Sequence, residues 1–500
     1  MSGIPQFLSR RRGVLLPIFS LPGSFGMGEL GPCSHRWLDF LADRGQGLWQ
    51  ILPMHPPGPG HSPYQARSAL AGDPLLVGLE GLLADGLLLR EECANFPPTP
   101  VDRVDHCTAL PLRRELVRRA ARRFLDAGGD AEFADFCKAE GHWLEDYALF
   151  DLLGELHAEG AWTGWPPPLR DRHPEALAAV REKFAAEIAL RRVEQYFFQR
   201  QWKEMHRRAA ERDIKIFGDM PIFLALHSAD VWAERTLFDL LPDGSPRVIA
   251  GVPPDYFSAT GQRWGNPLYL WQRHGETGYA WWRRRLERAT ALHDAIRLDH
   301  FRGFAAHWEI PESEPTAVHG RWVAGPGEDF FRAVEKDLGP LPLVAEDLGL
   351  LDPAVWELRD RLGLPGLRIF LFALDDMHPN SPFLPTNFCE NCVAYTGTHD
   401  NDTLHGALFE EGEVSSQRRQ LLASLLPPAY HRLGRENGTL AWLADSPARW
   451  VLFPLQDLLH GGASTRTNRP GTVDGNWAWR ASEEQLAGLD RSFLLRLGKA

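Results

Sequence analysis

Residues 295–299 read Ala295-Ile296-Arg297-Leu298-Asp299, a short apolar run that ends on a carboxylate. Its length and content suit a strand buried on both faces. The same pattern returns at Pro342-Leu343-Val344-Ala345, which runs into Glu346. Further runs bounded by Gly and Pro are Gly13–Ile18, Leu48–Pro53, Lys215–Ile222, Leu367–Phe372, Cys392–Tyr395 and Trp450–Pro454. Helical periodicity lies between them, at Ser34–Arg44, Glu194–Arg212, Gly278–Leu292 and Pro353–Leu362. Eight buried strands alternating with helices predict an α/β fold, a (β/α)8 TIM barrel.

The spacing is uneven, and that shapes the expected organisation. Residues 55–214 read as a mainly helical insertion after the second strand, with helices over Leu112–Leu125, Phe133–Leu153 and Pro174–Arg212, broken by Trp165-Pro166-Pro167-Pro168. Residues 224–294 read as a second insertion after the third strand, carrying Gly251-Val252-Pro253-Pro254-Asp255-Tyr256-Phe257. Insertions at this position emerge at the C-terminal face of a barrel, where active sites form. The second is expected to build part of the cleft wall. No repeat or linker divides the chain, so residues 1–500 read as a single catalytic domain.

Bulk properties exclude several partners. A net charge of −12 argues against nucleic acid or an anionic membrane, either of which wants a basic stripe. Arg113-Arg114, Arg118-Arg119 and Arg283-Arg284-Arg285 lie on amphipathic stretches and read as solvated helix faces. Ser9-Arg10-Arg11-Arg12 ahead of Gly13-Val14-Leu15-Leu16 resembles an export signal. The run is short and stopped by Pro17, so a buried first strand is the better reading. A cytoplasmic protein is expected. Six irregularly spaced cysteines fit a reducing compartment. Cys389-Glu390-Asn391-Cys392 reads as half a zinc site or a redox pair, and no second pair follows at ligand spacing. Gly26-Met27-Gly28-Glu29-Leu30-Gly31 matches G-x-G-x-x-G, but it does not follow a strand directly and reads as an ordinary loop. No metal or organic cofactor is implied. The 18 tryptophans mostly fill a core, yet such rings also line clefts where sugars stack.

Three carboxylates stand out: Asp299, Glu346 and Asp400, the last following Tyr395-Thr396-Gly397-Thr398-His399. On a barrel, each falls just past an apolar strand, which brings all three to one rim. Singly, each is equally a helix cap or an ion-pair partner; together they suit glycosidic cleavage. A retaining mechanism needs one carboxylate as nucleophile and another as proton donor, about 5–5.5 Å apart. Arg297 shares a strand face with Asp299 and is expected to keep it ionised. Glu346 needs a raised pKa to serve as acid and then base, and an anionic Asp299 pushes it that way. Asp400 is free to hold sugar hydroxyls and steady an oxocarbenium-like transition state.

The stretches Ile296-Arg297-Leu298-Asp299-His300-Phe301-Arg302-Gly303, Ala345-Glu346-Asp347-Leu348-Gly349 and Tyr395-Thr396-Gly397-Thr398-His399-Asp400-Asn401-Asp402-Thr403 resemble those of the 4-α-glucanotransferases. This family, also called amylomaltases or disproportionating enzymes, belongs to the α-amylase clan. Ser62-Pro63-Tyr64-Gln65, Gly218-Asp219-Met220-Pro221-Ile222-Phe223, Gly261-Gln262-Arg263-Trp264-Gly265-Asn266-Pro267 and Asn476-Trp477-Ala478-Trp479-Arg480 extend the likeness almost end to end. The resemblance implies Asp299 as nucleophile, Glu346 as acid/base and Asp400 as transition-state stabiliser. It implies Arg297, Asp219 and His399 around the sugar and Tyr64 as a stacking ring. Trp264, Gln262, Asp375 and Asn468 fall on mobile loops and the acceptor side. His61 and His106 depart from the family pattern in the outer cleft.

The implied function is transfer of α-1,4-glucan segments between maltooligosaccharides and longer glucans. A plain α-1,4-glucan hydrolase with the same carboxylates and a non-catalytic glucan-binding protein are the alternatives. The loop bearing Gly251–Pro267 is the candidate shield that favours sugar over water.

Overall fold

A computed structural model of the chain describes residues 7–158, 160–254, 258–349, 353–376, 378, 380–472 and 474–499. Twelve strands occur among them: β1 (Arg11–Leu15), β2 (Leu48–Gln50), β3 (Lys215–Pro221), β4 (Val248–Val252), β5 (Gln262–Pro267), β6 (Ala295–Asp299), β7 (Ala306–Pro311), β8 (Arg321–Ala324), β9 (Leu343–Ala345), β10 (Gly366–Ile369), β11 (Cys392–Tyr395) and β12 (Trp450–Pro454). Eight form one parallel sheet in the order β10-β11-β12-β1-β2-β3-β6-β9. The Ala345 N–H donates to the Pro365 carbonyl at 2.8 Å, so the two edges nearly meet and the sheet curls into a barrel. These eight correspond to the eight runs read from the sequence. Several boundaries moved: the first two strands end earlier, at Leu15 and Gln50. The run Leu367–Phe372 leaves the sheet at Ile369, because Phe370–Asp376 turns directly into a helix. The first strand starts earlier, at Arg11.

Close strand approach explains one glycine. A Cβ on Gly13 would lie 1.9 Å from the Leu48 carbonyl oxygen on the neighbouring strand. Only glycine permits that spacing.

The arginine-rich first strand belongs to the core. Arg12 is buried, and its Nε donates at 2.8 Å to the carbonyl of Ala444, the last residue of helix Arg435–Ala444. Buried carbonyls left open at a helix end suit such a cation. Among the described residues, no helix is long and apolar enough to cross a membrane.

Between β2 and β3 the chain builds helices Ala109–Asp126, Ala131–Leu156 and Ala185–Glu211. The stretch Pro174–Arg212 is broken at Phe184, which separates Pro174–Lys183 from the long helix. Several arginines expected on solvated faces are structural instead. Arg113 is fully buried and binds Glu29 at 2.8 Å. Glu29 belongs to the glycine loop Gly26–Gly31, where a buried carboxylate would repel a pyrophosphate. Asp151 gathers Arg191 at 2.7 Å and Arg114 at 2.9 Å, pinning the three helices together. Arg285 is buried and donates to the carbonyls of Pro221 at 2.5 Å and Ile222 at 3.2 Å, fixing the end of β3. Buried guanidinium groups demand such partners.

A second, antiparallel sheet of four strands stands apart from the barrel, in the order β5-β4-β7-β8. One pair, β4 and β5, comes from the connection after β3; β7 and β8 come from the connection after β6. Ala250 faces Glu309 across the seam, and Trp308 faces Trp322. The hairpin Ala306–Ala324 has no counterpart in the expected insertions. Its polar, glycine-interrupted sequence shows little alternation. Asp255, Tyr256 and Phe257, within the sequence of the expected shield, lie outside the described residues.

Candidate active site

The C-terminal ends of the barrel strands open into a cleft of about 420 Å³. Strand register assembles its floor. Asp219 on β3 and Arg297 on β6 are paired positions, so their side chains meet on one face. Arg297 Nη1 donates to both Asp219 oxygens at 2.8 Å, while Nη2 reaches Asp299 Oδ1 at 2.9 Å. The planar guanidinium fork is thus divided between two carboxylates. Tyr64 Oη donates to Asp219 Oδ2 at 2.8 Å. Its ring stacks on His399 with centroids 5.1 Å apart and tilts against Trp477 at 5.8 Å.

Glu346 is clamped to the turn that follows Asp299. The His300 N–H donates to Glu346 Oε2 at 2.7 Å, Phe301 N–H to the Glu346 carbonyl at 3.2 Å, and Glu346 N–H to the Leu298 carbonyl at 3.1 Å. His300 holds φ at 51°, in the left-handed region that a non-glycine residue adopts at some strain. That conformation aims its N–H at the carboxylate. Asp400 has a richer set of partners. Asn468 Nδ2 donates to Oδ1 at 2.7 Å, His399 Nε2 lies 3.3 Å from Oδ2, and Arg466 Nη2 donates to the backbone carbonyl at 2.9 Å.

These surroundings set the charges. Burial pushes Asp299 up to about 6; Arg297 opposes it, and Asp219 and Asp400 add to the rise. Arg297, expected from the sequence to keep Asp299 ionised, limits that rise without cancelling it. The guanidinium is shared with Asp219 and cannot offset desolvation. Burial also pushes Glu346 up to about 8, Asp299 adding to the rise against the pull of Arg297. Asp400 goes the other way. Burial would raise it, but His399, Asn468 and Arg297 together hold it below the usual carboxylate range. The side chains of Asp299 and Asp400 keep 26% and 42% exposure, yet both line a recess whose walls displace much of the bulk water.

Of the remaining expected residues, Gln262 and Trp264 line the cleft from β5, with Trp264 Nε1 donating to Gln262 Oε1 at 3.1 Å. Trp264 meets His300 edge to face at 4.8 Å. Asp375 does not join them. It lies on helix Phe370–Asp376, outside the cleft lining, and accepts two bonds from Arg418 at 2.6 and 2.9 Å. His61 and His106, the two departures, stack on each other at 3.9 Å. Sequence reading passed over His300 as a donor, Arg466, and Trp322 on β8, which lines the cleft beneath the Arg302 guanidinium at 3.9 Å. For His300, the signal available was its place directly after Asp299; for Trp322 there was none.

Known proteins resemble the chain along its whole length. The profile of the family described as 4-alpha-glucanotransferase matches residues 16–486. A 4-alpha-glucanotransferase of Thermus thermophilus is 44% identical over 96% of this chain and 96% of its own. That of Synechocystis is 43% identical over 95% of each. The solved structure of an amylomaltase from Streptococcus agalactiae, in complex with acarbose, superimposes with a TM-score of 0.92 at 35% identity, covering 98% of this chain and 99% of that one. With a barrel rim that gathers three carboxylates in contrasting electrostatic settings, and with relatives that match nearly end to end, the chain belongs to the 4-alpha-glucanotransferase family.

Proposed function

We propose that the chain moves α-1,4-glucan segments from a donor to the 4-hydroxyl of an acceptor glucan or glucose by a retaining double displacement. Asp299, ionised above pH 6, attacks the anomeric carbon. Glu346 still carries its proton at neutral pH and gives it to the departing glucan oxygen. A β-linked glucosyl–Asp299 intermediate remains, and the Glu346 carboxylate is now a base. It takes the proton of the acceptor 4-hydroxyl as that oxygen attacks, Asp299 leaves, and the α-1,4 bond is restored.

Asp400, held anionic, steadies the positive charge that develops at the sugar ring. Arg297 and Asp219 orient the nucleophile, Tyr64 and His399 offer a wall for the sugar, and Gln262, Trp264 and Asn468 contact glucan on the loops. Residues 224–294 form part of the cleft wall in this single-domain reading, where exclusion of water favours transfer over hydrolysis. Maltooligosaccharides and longer α-1,4-glucans are the substrates.

The observation that carries the proposal is the opposed setting of Glu346 and Asp400 around one half-buried Asp299. Incubation with maltotriose tests it. Glucose together with a ladder of longer maltooligosaccharides is expected; glucose and maltose alone would replace transfer with hydrolysis.

A further inference from the structure

The Cys389-Glu390-Asn391-Cys392 turn has no part in the glucan chemistry. It closes on Cys392, the first residue of β11, the strand that leads to His399 and Asp400. Cys389 is exposed and Cys392 buried. Cys389 Sγ donates to the Asn391 carbonyl at 3.7 Å and Cys392 Sγ to the Cys389 carbonyl at 3.0 Å, so both thiols sit on one tight turn. Among the described residues, no group of three Cys, His, Asp or Glu side chains could hold a metal ion, so the zinc reading has no further ligand.

The charges around the turn are arranged for one anion. Arg368 and Arg359 face the pair from β10 and from helix Pro353–Arg361. Both also approach Asp347, the buried carboxylate next to Glu346. Glu390, the carboxylate between the two cysteines in sequence, is taken by Arg449 at 2.6 Å. An exposed thiol with cationic neighbours and a buried thiol behind it is the layout of an attacking and a resolving cysteine.

We infer that Cys389 and Cys392 form a thiol–disulfide exchange site that takes a low-molecular-weight disulfide as its oxidant. The Cys389 thiolate attacks one sulfur of that disulfide, forming a mixed disulfide and expelling the first thiolate. Cys392 then loses its proton to solvent and attacks Cys389 Sγ, expelling the second. The pair gives up two electrons and two protons, the small disulfide becomes two thiols, and a Cys389–Cys392 bond remains.

The order of events follows from the surroundings. The adjacent Cys392 thiol, aided by Arg368 and Arg359, brings Cys389 down to about 6. The neighbouring Cys389, with burial behind it, holds Cys392 well above the ordinary thiol range. Once Cys389 is in a mixed disulfide its charge is gone, and the leading cause of that rise goes with it.

The intact, reduced chain is tested in two ways. First, iodoacetamide labelling at pH 6 is followed by peptide mass spectrometry, with exposed Cys107 as internal reference. Half of Cys389 is thiolate at that pH, against about 0.3% of an ordinary thiol of pKa ~8.5. Lower intrinsic nucleophilicity takes back roughly 13-fold, so labelling about tenfold faster than at Cys107 is expected. Equal rates would overturn the proposal. Second, oxidised glutathione should yield a peptide with both cysteines joined and two hydrogens lost. Cys392→Ser should stop at the mixed disulfide on Cys389, and Cys389→Ser should form neither product. If the wild-type chain also stops at the mixed disulfide, Cys392 does not resolve it and the site is refuted, whatever the variants do.

Discussion

Two corners of one rim treat the same functional group in opposite ways. At the Asp400 corner a carboxylate meets an amide, an imidazole and the outlying field of Arg297, and it stays ionised. At the Glu346 corner a carboxylate meets a single backbone N–H, the pull of Arg297 and the opposing charge of Asp299, and it keeps its proton near neutrality. Burial pushes both upward. Partners, not burial, decide which keeps its proton and which stays anionic.

The severest way to break this contrast is to remove the group between the corners. Asp299→Asn should cut turnover of maltotriose by about 10⁴-fold, roughly 5.4 kcal/mol of barrier, while oligosaccharide binding stays measurable by calorimetry. Activity within tenfold of wild type would refute the nucleophile. Glu346→Gln should lose about 10³-fold on maltotriose, the scale of one general acid. The loss should shrink with an α-glucosyl fluoride donor, whose leaving group needs no proton; an equal loss on both donors would assign Glu346 another role. Asn468→Ala strips one partner from Asp400 and should lower kcat about tenfold, near 1.4 kcal/mol, as that carboxylate drifts toward its neighbour's behaviour.

The pH profile gives the gentlest reading. In the proposed mechanism Asp299 works deprotonated, and its pKa is raised, so activity should halve near pH 6 and fall below it. Glu346 works protonated and its pKa is raised, so activity should halve again near pH 8. Asp219→Asn removes a negative charge that raises Asp299, so it should move the acid limb to lower pH and leave the alkaline limb in place.

The barrel was legible because a strand buried on both faces writes itself as an unbroken apolar run. Its ends were not legible where an apolar run passes without a break into a helix, as at Ile369-Phe370. The carboxylates could be read because each sits one step past such a run. The small sheet could not, since β7 and β8 alternate weakly and Trp322 lies on a polar hairpin. Asp375 rested on family likeness alone, and Arg418 holds it elsewhere. The sharing of Arg297 between Asp219 and Asp299 was also out of reach, because it depends on register between strands far apart in sequence.

The four-stranded sheet beside the cleft carries a lesson for anyone exchanging parts between relatives. Its seam joins β4, from one connection, to β7, from another. Residues 224–294 look like a cassette that could be swapped to alter the glucan wall, but lifting them out would bare the hydrogen-bonding edge of β7. An uncovered edge strand pairs with whatever it meets, including another copy of itself. Chimeras cut at those boundaries should clump, whereas those that carry residues 224–324 as one block should stay dispersed.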